Sequence, residues 1–107
     1  IEYIKNDHSI ALMIDQRVSE GEQINFFNHP ALTTTLPAQL ALKYNLIIIP
    51  VFIERTTHNN FISEFQTEIN PNNYKNKLEL SVKLNEVLEK MILKNPNEWI
   101  WTHNRWK

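Results

Sequence analysis

The sequence predicts an α/β fold with a mixed, mainly parallel sheet flanked by helices, in one unit spanning residues 1–107. Three observations predict it. Two uninterrupted apolar runs, Ile10 to Ile14 and Leu46 to Ile53, read as strands covered on both faces. A helical pattern, Leu36 to Tyr44, lies between them, so strand, helix and strand imply a right-handed crossover and a parallel pair. Asn76 to Lys94 then supplies a second helical pattern.

Taken in order, Ile1 and Ile4 followed by Lys5, Asn6 and Asp7 read as the last turn of a helix, with His8 in a connector. The first buried strand stops at Asp15, Gln16 and Arg17. Ser19 to Glu22 is a turn, and Gln23 to Phe27 alternates as a short strand with Ile24 and Phe26 on one side. Thr34 or Thr35 can cap the next helix, whose first turn tolerates Pro37 because the missing amide hydrogen costs little there. Leu36, Leu40 and Tyr44, helped by Ala41, form its apolar face, and Asn45 is a left-handed stop. Pro50 conflicts with full pairing of the second strand and predicts a bulge or an unpaired edge. Thr56 to Asn60 is a polar turn. Phe61 to Ile69 alternates as a half-exposed antiparallel strand. Asn76 followed three residues later by Glu79 resembles a capping box. In the helix that follows, Leu80, Leu84, Val87, Leu88 and Met91 line one face, Glu79 with Lys83 and Glu86 with Lys90 are favourable pairs, and Pro96 ends it.

Composition narrows the function. A net charge of -1 and a pI near 6.5 argue against a nucleic-acid surface, which needs a basic excess. The absence of cysteine removes disulfides and thiolate metal sites, and the four histidines do not fall at metal-ligand spacing. No cofactor glycine pattern, Walker loop or GxSxG elbow occurs. No run approaches the roughly 18 apolar residues of a membrane span. The chain begins inside a periodic segment without Met and ends on aromatic and basic residues, which suggests a fragment of something larger.

The polar cluster after the first strand is the first candidate site, because ligands of open α/β sheets sit outside the carboxyl ends of strands. Asp15 and Arg17 either fix a substrate through charge-assisted hydrogen bonds or form an ordinary ion pair in a solvated turn. Phe26 and Phe27 either line an apolar pocket or belong to the core. Thr33, Thr34 and Thr35 can offer hydroxyls and helix amides to a phosphate, although capping alone explains them. If the two strands are parallel, Arg55 shares an edge with Asp15 as a second anion contact; a surface arginine is the alternative. Residues Trp99 to Lys107 hold three tryptophans, His103, Arg105 and Lys107, a composition suited either to a membrane surface or to packing of a terminal segment.

Four segments together resemble the bacterial lipid A biosynthesis acyltransferases: IDQRVSEG at Ile14 to Gly21, INFFNHPALTTT at Ile24 to Thr35, LALKYNLIIIPVFIER at Leu40 to Arg55, and NPNEWIWTHNRWK at Asn95 to Lys107. Their order and spacing agree with the carboxy-terminal part of a family member. The resemblance implies a glycerolipid-acyltransferase-like α/β sandwich that moves a fatty acyl group from acyl carrier protein to a hydroxyl of a lipid A precursor. It implies a bacterial inner-membrane location at the cytoplasmic face, with an amino-terminal anchor upstream, and no cofactor beyond the acyl carrier protein thioester. The family's catalytic pair is a histidine followed five positions later by Asp or Glu. Here Met13, Thr34 and Ser63 stand five positions after His8, His29 and His58, so the fragment is expected to be inactive alone.

By the same resemblance, Asp15 with Gln16 matches the family's Asp-Gln motif, and Asp15 is expected to support the site. Gln16, Arg17, Phe26, Phe27, Thr34, Arg55, His103 and Arg105 are the expected substrate contacts. Asn28 stands where the family has glycine, which leaves the turn there open. The implied partners are acyl carrier protein, the lipid A precursor and the membrane surface. The competing readings are an acyltransferase for another glycolipid or phospholipid, and a non-catalytic lipid- or partner-binding module.

Overall fold

In chain order, the described residues form strands β1 (Glu22–Phe26) and β2 (His29–Thr33), helix α1 (Leu36–Tyr44), strands β3 (Val51–Arg55) and β4 (Phe61–Phe65), a 3-10 turn (Pro71–Asn73) and helix α2 (Lys77–Lys94). The computed structural model describes residues 9–15, 17–56, 60–94, 96 and 105–106. The expected helical turn at Ile1 to Lys5, the connector at His8, and Gln16, Thr57, His58, Trp99 and His103 lie outside the described residues.

Helix α2 is the wall on which the other elements rest. It starts where expected, because the Asn76 side-chain oxygen accepts the Glu79 amide at 2.9 Å and satisfies one of the unpaired donors of the first turn. Its buried stripe runs through Leu80, Ser81, Leu84, Asn85 and Ile92. Leu80 and Leu84 meet Ala38 and Ala41 of α1 and Ile69, with Ile14, Leu46, Ile48 and Tyr74 packed around them. Further along, Ile92 meets Phe26 and Ala31 of the β1–β2 hairpin. One helix thus serves two small cores. Each fully buried large apolar side chain, such as Phe26 or Leu80, contributes ~1.5–3 kcal/mol. Salt bridges join α2 to the strands: Lys77 to Glu22 at 3.2 Å near its start, and Lys94 to Glu64 at 3.4 Å at its end.

Helix α1 follows the sequence at both ends. Pro37 lies in the first turn, and Asn45 adopts the left-handed conformation (φ 53°, ψ 53°) that closes the helix, with the Leu46 amide returning to the Ala41 carbonyl at 2.9 Å. Its buried face differs from the expectation. Ala38 and Ala41 are buried while Leu36 is exposed, because α1 approaches α2 closely through its small residues.

The expected parallel pair is not formed. Both two-stranded sheets among the described residues are antiparallel hairpins, β1 with β2 and β3 with β4. Ile10 to Ile14 is not a strand: Ile10, Leu12 and Met13 are exposed and only Ile14 reaches the core. The second run is shortened. Pro50 has no amide to donate, and β3 begins directly after it, while the Pro50 carbonyl accepts from the Gln66 amide. Before the proline, only Ile48 pairs, in an isolated antiparallel bridge with Ile69. Arg55 therefore does not share a parallel edge with Asp15. The strand expected at Phe61 to Ile69 is present as β4 and that bridge, although β4 is exposed along its whole length.

Replacing Asn76 by Ala is expected to lower stability by about 1 kcal/mol in urea unfolding, with Asn76→Asp close to the parent, since aspartate caps equally well.

Candidate functional site

The site is built on the β1–β2 hairpin. Its register pairs Phe26 with His29 and leaves Phe27 and Asn28 as a two-residue loop. Both loop residues have positive φ, 51° and 63°, as a type I′ turn requires for its twist to match the strands. Asparagine tolerates this conformation, so Asn28 makes the turn without glycine. Phe27 is less suited to it, and two contacts hold it there: its amide donates to Glu89 of α2, and its ring lies 4.8 Å from that of Phe26. Strand β2 was not expected from the sequence; its Pro30 sits opposite Asn25 in a two-stranded ribbon, where the lost donor is tolerated.

Alternation along the hairpin turns Ile24, Phe26, Ala31 and Thr33 to the buried face. Against this face lies Arg105, fully buried. Its Nη1 donates to the Leu32 carbonyl at 2.6 Å and its Nη2 to the Thr33 hydroxyl at 2.9 Å, while the guanidinium stands 5.2 Å from the centre of the Phe26 ring. Trp106 stacks on Phe26 at 5.5 Å and donates its indole N–H to the Phe26 carbonyl at 2.9 Å. Packing is thus the role of Trp106.

Thr33 Oγ1 is the hub. It donates to the Ala31 carbonyl at 3.0 Å and accepts from Arg105 and, at 3.4 Å, from Asn85 Nδ2, which fills the capacity of one hydroxyl. Asn85 Nδ2 also donates to the Asn25 carbonyl at 3.3 Å. Among the described residues, four buried polar atoms have no hydrogen-bond partner: Asp15 Oδ1, Ser81 Oγ, and, within this network, Asn85 Oδ1 and Arg105 Nε. Burial lowers the Arg105 pKa from its ordinary value, and the Asp15 carboxylate acts in the opposite direction.

The expected site residues divide into groups. Phe26 and Arg105 are together in the interior, with Phe27 half-buried beside them. Asp15 is half-buried and coupled electrostatically to Arg105. Arg17, half-buried, donates to the Ser19 hydroxyl at 3.4 Å. Thr34 accepts the Leu36 amide at 3.3 Å at the start of α1, while Thr35 accepts from the Gln39 side chain at 2.7 Å. Arg55 is elsewhere, exposed on β3 with its guanidinium 5.5 Å from the Phe61 ring centre. Gln16 and His103 fall outside the described residues. Thr33, read from the sequence with Thr34 and Thr35 as a possible phosphate contact, is instead turned inward, and Ser81, Asn85 and Glu89 were not singled out. Ser81 and Asn85, four apart on the buried stripe of α2, were the available signal, because polar side chains there need partners.

A family model described as bacterial lipid A biosynthesis acyltransferase matches residues 1–107, the whole chain. The chain belongs to this family. Comparison with curated proteins found no match. Family membership makes the chain acyltransferase-like and ties it to lipid A biosynthesis. Among the described residues, no helix is long and apolar enough to cross a membrane, and no group of three His, Cys, Asp or Glu side chains could hold a metal ion. Chemically, the hairpin offers a buried cationic and hydroxyl network, while Arg17 and Thr34, outside it, are half-buried.

Replacing Thr33 by Val keeps the shape but strips the acceptor from Arg105 and Asn85. It is expected to cost about 2–3 kcal/mol in urea unfolding, with Thr33→Ser recovering most of the loss, because hydrogen bonds to charged groups exceed neutral ones.

Proposed function

We propose that this chain is the carboxy-terminal part of an acyltransferase that transfers a fatty acyl group from an acyl carrier protein thioester to a hydroxyl of a lipid A precursor, at the cytoplasmic face of the bacterial inner membrane. The family match along all 107 residues is the observation that carries the reading. Such a transfer needs a base to take the hydroxyl proton, attack of that oxygen on the thioester carbonyl, and departure of the carrier thiolate. Histidine with an acidic residue five positions later suits the base. This sequence has no such pair, so in this reading the catalytic base comes from outside these residues and the chain alone transfers nothing.

The part assigned to these residues is to hold and shape. Arg17 and Arg55 are cations suited to acceptor phosphates, and Thr34 adds a hydroxyl at a helix start. The exposed Ile10, Leu12 and Met13, with Val51, Ile53, Phe61 and Phe65 of the second hairpin, are consistent with a mixed, mainly parallel sheet completed by further strands of the acyltransferase domain.

The test joins the chain to an HxxxxD- or HxxxxE-bearing portion encoded upstream in the same gene and supplies acyl carrier protein thioester with lipid A precursor. Product mass should rise by one acyl group, and Arg17→Ala should raise KM for the acceptor about tenfold with a smaller change in kcat, the signature of lost substrate binding. Transfer to a glycerophospholipid in place of the lipid A precursor would refute the acceptor assignment.

A further inference from the structure

We infer that Glu89 is a positioning residue: its carboxylate, reaching from α2 to the Phe27 amide, holds the turn of the β1–β2 hairpin so that the Phe27 ring stands as an apolar wall for the acyl chain of the proposed transfer. The acyl role rests on that reaction; the hold on the turn does not.

Phe27 is the unexpected residue of its turn. The loop positions of a type I′ turn favour asparagine, aspartate and glycine, because both have positive φ, and a bulky residue at 51° is strained. The left-handed backbone has a consequence for the ring. Alternation along a strand would send side chains 26 and 27 to opposite faces, whereas here their rings stand 4.8 Å apart. Phe27 thereby joins the cluster of Phe26, Ala31 and Ile92, whose half-buried margin it forms with Leu88 and Trp106.

The hold comes from α2 at two matched points. Asn85 Nδ2 donates to the Asn25 carbonyl at 3.3 Å, and Glu89 Oε1 accepts from the Phe27 amide at 2.5 Å. Four residues advance a helix by about 6 Å and two residues advance a strand by about 6.8 Å, so the two spacings fit one another. Neither salt bridge among the described residues uses Glu89. Its bond to the amide is charge-assisted and therefore stronger than a neutral one, which suits it to hold a strained residue. A ring fixed in this way gives a hydrocarbon chain a wall of set position, and in the proposed reaction that chain is the acyl group of the donor.

The experiment follows the Phe27 amide by NMR in the 107-residue chain carrying isotope-labelled phenylalanine, assigned by its loss in Phe27→Leu. Glu89→Ala should speed its exchange with water roughly tenfold or more, while Glu89→Gln, which keeps an acceptor oxygen, should stay within about threefold of the parent. Unchanged exchange in Glu89→Ala overturns the inference. If Glu89→Ala does not fold, Glu89→Asp, one methylene shorter, decides by the same exchange and the same limits. In the chain joined to its upstream portion, Glu89→Ala should raise KM for the acyl carrier protein thioester about fivefold with kcat within about twofold, and should add nothing in a Phe27→Ala background. An unchanged KM, or additive losses, would overturn the acyl role. Absence of transfer by the parent would refute the proposed function and leave the exchange readout unaffected.

Discussion

A guanidinium sealed from water is stable only when its surroundings replace the water it has lost. Arg105 meets that condition with a backbone carbonyl, a hydroxyl and an aromatic face, drawn from Leu32, Thr33 and Phe26. Each of these is then constrained in turn. Thr33 must face inward, which sets the register of the hairpin. Phe26 must present its ring, and Trp106 covers it while capping its carbonyl. The type I′ turn at Phe27 and Asn28 follows from that register, because no other residues remain to close the loop.

Helix α2 turns these local demands into a fold. Its apolar residues serve both cores, while Asn85 and Glu89, on the same helix, reach the hairpin backbone and the Phe27 amide. Dispersion and burial hold the helix against the chain, and the polar contacts choose a single seating among many that would bury similar area. The second hairpin is held differently. Its attachment to α2 includes Lys94, which pairs with Glu64 and lies 5.6 Å from the centre of the Phe52 ring.

What could be read from the sequence was mostly local. Both helices, the left-handed Asn45, the Asn76 cap and the strand at Gln23 to Phe26 follow from propensity and periodicity within a few residues. The sheet could not be read in this way. An apolar run such as Ile10 to Ile14 states that a segment tolerates burial, not that a neighbour is available to bury it. Pro50 was a true signal, since regular pairing of that run begins only after it, whereas nothing in the sequence marked β2, which carries Pro30. The polar hub was hidden for another reason. Its members come from positions near 33, 85 and 105, and no spacing rule links residues so far apart. Family resemblance pointed to Phe26 and Arg105 separately, while their association became visible only in space.

The bond from Arg105 to Leu32 spans 73 positions along the chain. On the ribosome, the hairpin emerges long before its clamp exists, and residues are added at ~5–20 per second. For those seconds the hydroxyl of Thr33 and the carbonyl of Leu32 lack the guanidinium that donates to both. Nascent chains of this protein therefore carry an open, sticky hairpin until Arg105 has been added, and termination before that residue would release the unfinished state.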